Sequence, residues 1–133
     1  MNFKKLIFIY LLPVMLLLVA CKKIATPDEA SKEVFGEWKY KFNSGGFNGS
    51  GGSTLYNSDS WLEISDKGVF KVYEGSKKVR KLRFKIEMND GTAKYKLNFN
   101  SLTQMEYAYL VEDNQLILIE TISDGYVYVF DRK

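Results

Sequence analysis

Between Leu82 and Phe99 the chain alternates with period two. Leu82, Phe84, Ile86 and Met88 oppose Lys81, Arg83, Lys85 and Glu87, and Tyr95, Leu97 and Phe99 oppose Lys94, Lys96 and Asn98. Successive side chains of a strand point to opposite faces, so this pattern describes strands with one face buried and one wet. The stretches around it read the same way, punctuated by the turn sequences "SDKG", "NDG", "EDN" and "SDG". Eight strands are expected: Glu37 to Phe42, Leu55 to Ser65, Val69 to Tyr73, Val79 to Met88, Thr92 to Phe99, Met105 to Glu112, Gln115 to Ile122 and Tyr126 to Arg132. In the seventh, "QLILIETI" is apolar on both faces, and its parity stays open.

Connections this short leave no room for crossover helices. The expected fold is therefore all-β: an eight-stranded antiparallel up-and-down barrel whose closure removes the exposed edges, with an open sandwich as the alternative. One short helix is expected before it, from Pro27 to about Phe35, with Thr26 as N-cap, Pro27 in the first turn, Glu29 completing a capping box and Gly36 ending it.

The first 20 residues do not belong to that domain. Lys4 and Lys5 precede an apolar run, Leu6 to Ala20, that is 15 residues long. This is the layout of a secretory signal peptide, and it is shorter than the roughly 20 residues a spanning helix needs. "LVAC", Leu18 to Cys21, follows directly and resembles the lipobox of bacterial lipoproteins. The resemblance implies cleavage before Cys21 and acylation of its thiol, with residues 21–25 as a tether and 26–133 as the barrel domain. More than one acyl chain gives lasting attachment to a membrane, whereas one is marginal. Lys22 follows the cysteine where, in the best-known sorting scheme, an aspartate retains lipoproteins at the inner membrane. The implied location is accordingly the cell envelope, at the outer membrane.

Lys4 and Lys5 account for two of the 19 basic residues, which leaves 17 against 16 acidic ones in the mature chain. A near-neutral exported domain has no electrostatic footprint for nucleic acid. With a single cysteine there is no disulfide, so packing alone must hold the fold.

A family resemblance rests on two further stretches. "FGEWKY" holds Gly36 and Trp38 as a Gly-x-Trp motif at the start of the first strand, and "YVFDRK" ends the last strand with Arg132. Together with the strand count this resembles the small lipocalin-like lipoproteins of Gram-negative bacteria. The resemblance implies that Arg132 packs across Trp38 at the closed end of the barrel.

At the opposite, open end would lie "NSGGFNGSGGSTLYNSDS", Asn43 to Ser60, read either as a lid carrying Phe47 and Tyr56 or as a plain surface loop. The residues expected to meet a ligand are Tyr40, Phe42, Phe47, Tyr56, Tyr95, Tyr126 and Tyr128. "KKVRKLRFK", Lys77 to Lys85, reads chiefly as the wet face of a strand, with Lys77, Lys78 and Arg80 at the rim. No histidine is present and the cysteine is assigned to acylation, so the sequence points away from an enzyme. Glu74 and Glu120 are the acidic residues expected to face inward, yet their spacing matches no acid/base pair. No metal or cofactor is expected. The functional expectation is a monomeric binding module taking a small hydrophobic molecule inside the barrel; the alternative is a filled barrel that binds an envelope protein through its open-end loops.

Overall fold

A computed structural model of the chain describes residues 29–46, 55–99 and 105–133. Eight strands follow a short 3-10 segment, Glu29–Val34: β1 (Gly36–Gly45), β2 (Ser60–Ser65), β3 (Val69–Glu74), β4 (Lys77–Met88), β5 (Tyr95–Phe99), β6 (Glu106–Glu112), β7 (Gln115–Glu120) and β8 (Tyr126–Arg132). Each strand pairs antiparallel with the next, and β8 returns to β1, so the sheet is a closed barrel rather than a sandwich. The two-residue turn between β6 and β7 places Asp113 and Asn114 at φ 49° and 61°. Positive φ at both positions matches the right-handed twist of a hairpin, and Asp and Asn tolerate it best among non-glycine residues.

Several boundaries differ from the sequence expectation. The expected helix is not shown: Glu29–Val34 forms only a 3-10 segment, and Thr26 and Pro27 lie outside the described residues. β2 begins at Ser60, not Leu55, because Asn57 and Ser60 build a turn: Asn57 N donates to Ser60 Oγ at 2.9 Å and Ser60 N donates to Asn57 O at 2.9 Å. β1 runs on to Gly45, past the expected end at Phe42.

That extension contains the main irregularity of the barrel. Tyr40 pairs with Phe130, but Phe42 pairs with Val129, so Lys41 is an extra residue in β1. One inserted residue reverses the parity of everything after it. Phe42, expected inside, stands on the outer wall at 50% exposure, and Asn43 turns inward opposite Tyr128.

The Trp38 end of the barrel is closed over by the N-terminal segment. Trp38 is fully buried and its Nε1 donates to Val34 O at 2.8 Å. The Arg132 guanidinium lies 4.1 Å from the Trp38 ring centre, donating through Nη2 to Glu33 O at 2.9 Å and through Nη1 to Phe35 O at 3.3 Å. Tyr109 Oη adds a bond to Ser31 O at 2.8 Å. These side chains fasten the segment across the barrel mouth and satisfy carbonyls that would otherwise lack donors. Gly36 has no side chain for a steric reason: at φ 137° a Cβ would stand 2.9 Å from Arg132 Nη1.

Candidate functional site: the far end of the barrel

From the middle of the barrel to the end away from Trp38, the interior is a chain of rings meeting edge to face. Phe70 meets Phe99 at 5.1 Å between centroids, Phe99 meets Tyr107 at 5.8 Å, Tyr107 meets Tyr128 at 6.2 Å, and Tyr128 meets Tyr56 at 5.0 Å. Edge-to-face contact sets the positive ring edge against the negative face, which adds to the gain from burial. Tyr56 also packs on Phe130 at 5.3 Å and on Tyr40 at 6.0 Å.

Tyr56 was one of two aromatics expected on a lid. It is instead a core residue at 5% exposure, inserted into the barrel from the irregular segment before β2. Phe47, its expected companion, lies outside the described residues. Tyr40, Tyr126 and Tyr128 gather around Tyr56 and Phe130, with the Tyr126 ring lying where a Cβ on Gly46 would stand, 2.8 Å away. Two expected ligand residues are elsewhere. Phe42 is outside, for the reason of the bulge. Tyr95 opens β5 at the Trp38 end, where it stacks on Tyr109 at 6.0 Å and takes no part in this group.

Polar groups converge on the same region. Glu120 faces inward as expected; its Oε1 accepts from Tyr128 Oη at 2.9 Å and its Oε2 from Tyr126 N at 3.0 Å. Glu74, the other acid expected inside, ends β3 exposed. Arg80 shares the inward side of β4 with Leu82 and Phe84 and is half-buried, while Lys77, Lys78, Lys81, Arg83 and Lys85 are exposed. Most of the basic run is thus a wet face, and Arg80 is its inward member.

Tyr107, which the sequence reading did not single out, is the most informative residue. It is 2% exposed, and its hydroxyl has no hydrogen-bond partner of acceptable geometry. The Tyr56 hydroxyl is its near neighbour: the two act on each other's titration as a hydrogen-bonding pair, raising Tyr56 and lowering Tyr107, although their geometry falls short of a full bond. Burial first, and the Glu120 charge second, push the Tyr107 hydroxyl up to about 12. Burial holds Tyr56 well above its ordinary value too, and Arg80 lowers both. Both phenols therefore remain protonated donors at any physiological pH. The alternation Tyr107, Tyr109, Val111 in "EYAYLVE" was the available signal that Tyr107 lies inside.

The outer wall carries a second feature. Across four strands, Phe42, Val129, Ile117 and Leu110 form one outward row, and Val127, Ile119 and Ala108 fall in the next. This resolves the parity of β7: Leu116 and Leu118 are inside, Ile117 and Ile119 outside. Beside Ala108 and Ile119, a pocket of about 360 Å³ lies under the Asn89–Ala93 connection, with Lys96 and Thr121 on its walls. Lys96 is occupied by Glu106 at 3.0 Å and Glu87 at 3.8 Å.

Among the described residues there is no group of three or more metal-ligating side chains, and no helix is long and apolar enough to cross a membrane. Cys21 and the leader lie outside the described residues. No family model and no curated protein matches the chain.

Proposed function

We propose that this is a lipid-anchored binding protein of the bacterial envelope, a lipocalin-like barrel that takes a small, mainly apolar molecule into its far end. The observation that carries the reading is the Tyr107 hydroxyl, buried without a partner in a ring-lined interior. Buried hydroxyls are nearly always bonded, so this one, among aromatic rings, is the group best suited to take a ligand atom. Anchoring rests on the lipobox resemblance at Cys21, with acylation holding the domain at the outer membrane. The barrel acts by binding, without catalysis, cofactor or nucleic acid, and as a monomer.

Native mass spectrometry of the chain extracted from envelopes tests the reading. A bound small molecule, lost when Tyr107 and Tyr128 are both replaced by alanine, is the expected result. A bare chain from every extraction would argue against it.

The outer wall favours a second reading. Phe42 at 50% exposure, on the same outward row as the half-buried Ile117, is an exposed apolar side chain of the kind that meets another protein. Cross-linking from Phe42 to a single envelope protein would support that reading over the first.

A further inference from the structure

The proposed ligand site has a polarity of its own, which narrows what it would accept. Arg80 comes from β4 and Glu120 from β7, on separate walls of the barrel. Glu120 is engaged by two donors. No hydrogen bond or ion pair joins Arg80 to another of the described residues, while its charge acts on Tyr56 and Tyr107. Among the described residues, an inward, half-buried guanidinium with no carboxylate partner stands near a buried hydroxyl that makes no hydrogen bond of good geometry. In an apolar site such donors are costly unless an anion completes them, and a carboxylate matches the planar fork of arginine.

We propose that Arg80 and Tyr107 form an anion subsite, so that the ligand is a small apolar carboxylate, its charged group held between these two and its body among the rings of Tyr40, Tyr126 and Tyr128. This rests on the reading of the barrel as a ligand-binding protein and adds the ligand's charge.

The ring of Tyr56 now fills the space between Tyr40 and Tyr128. It comes from an irregular segment rather than from a strand, so turning it aside breaks no ladder of the barrel. A phenol there supplies an apolar ring and a neutral oxygen, whereas a carboxylate supplies the same ring contact and the missing charge. Tyr107 stays protonated and donates at neutral pH. The Glu120 charge also reaches Tyr107, so the Arg80 contact has to outweigh its repulsion of the bound anion.

The test compares trans-cinnamate with its neutral amide, by calorimetric titration of the full chain in neutral detergent. Cinnamate should bind at least tenfold more tightly than cinnamamide. Arg80→Gln should remove that preference, with an unchanged melting curve showing that the variant is folded; Arg80→Lys should restore part of it. Tyr107→Phe should weaken cinnamate several-fold and the amide less, because a carboxylate accepts the phenol hydrogen more strongly than an amide carbonyl does. Equal affinity for the two probes in the unmodified protein overturns the anion subsite and leaves the ligand-binding reading standing. Binding of neither probe overturns both.

Discussion

Replacing Tyr107 with phenylalanine should make the protein more stable, although it deletes a polar group from a structured site. The ring and its contacts with Phe99 and Tyr128 remain. Only the hydroxyl goes, and in the folded protein it has no partner, whereas in the unfolded chain it is hydrated. An unsatisfied buried hydroxyl costs about 1 to 3 kcal/mol, so the variant should gain about 1 kcal/mol or more at neutral pH. For a domain of this size that is roughly 4 to 8 °C in Tm. Alkali should widen the gap. Below pH 10 the phenol is neutral in both states; as pH rises toward the folded value of about 12, the unfolded chain ionises and the folded one does not. The unmodified protein therefore loses stability across that window, by about 2 to 3 kcal/mol for a displacement of roughly two pH units, and the phenylalanine variant is spared this loss. Urea unfolding followed by tryptophan fluorescence at pH 7 and pH 11 measures both effects. A variant less stable than the parent at pH 7 would mean that the hydroxyl is bonded, and the argument for a ligand atom at Tyr107 would fail.

Three further outcomes are expected. Trp38→Ala should cost about 3 to 5 kcal/mol as a large aromatic truncation, with Arg132→Ala costing less; a double-mutant cycle should show coupling above about 0.5 kcal/mol, and strict additivity would deny the contact its role in closing the barrel. Phe42→Ser should change thermal stability by less than about 0.5 kcal/mol because the side chain stands on the outer wall, so a large loss in a melting curve would place it in the core after all. Cys21→Ser should abolish incorporation of labelled fatty acid and leave an uncleaved precursor, and continued labelling at that position would remove the lipoprotein reading.

The barrel was legible because its determinants are local. Alternation in Leu82–Met88 and Tyr95–Phe99 fixes which face is buried, and the turn residues fix where strands reverse. That Arg132 packs across Trp38 was implied by the Gly-x-Trp resemblance, and the pairing of the first strand with the last is what brings the two together. Phe42 could not be placed: the bulge at Lys41 arises from how β1 must bend to pair with β8, and no residue at that point announces it. Tyr56 was misread because its sequence neighbourhood is polar and glycine-rich, whereas its position is decided by three rings contributed by β1 and β8. Tyr95 shares its pattern with the tyrosines at the far end; which end of the barrel a strand begins at separates them, and that follows from topology. Arg80 sits in a run of exposed cations, and the bulge beside it, where Val79 is an extra residue facing the Val72–Tyr73 step, shifts the parity of β4.

The most direct test of the account is a titration of trans-cinnamate into the full chain carrying carbon-13 in its tyrosine and phenylalanine rings, followed by NMR. Binding inside the far end predicts that the resonances of Tyr56, Tyr107, Tyr126 and Tyr128 move together, while Tyr95 and Tyr109 at the Trp38 end stay fixed. Shifts confined to Phe42 on the outer wall, with the interior tyrosines unchanged, would contradict it.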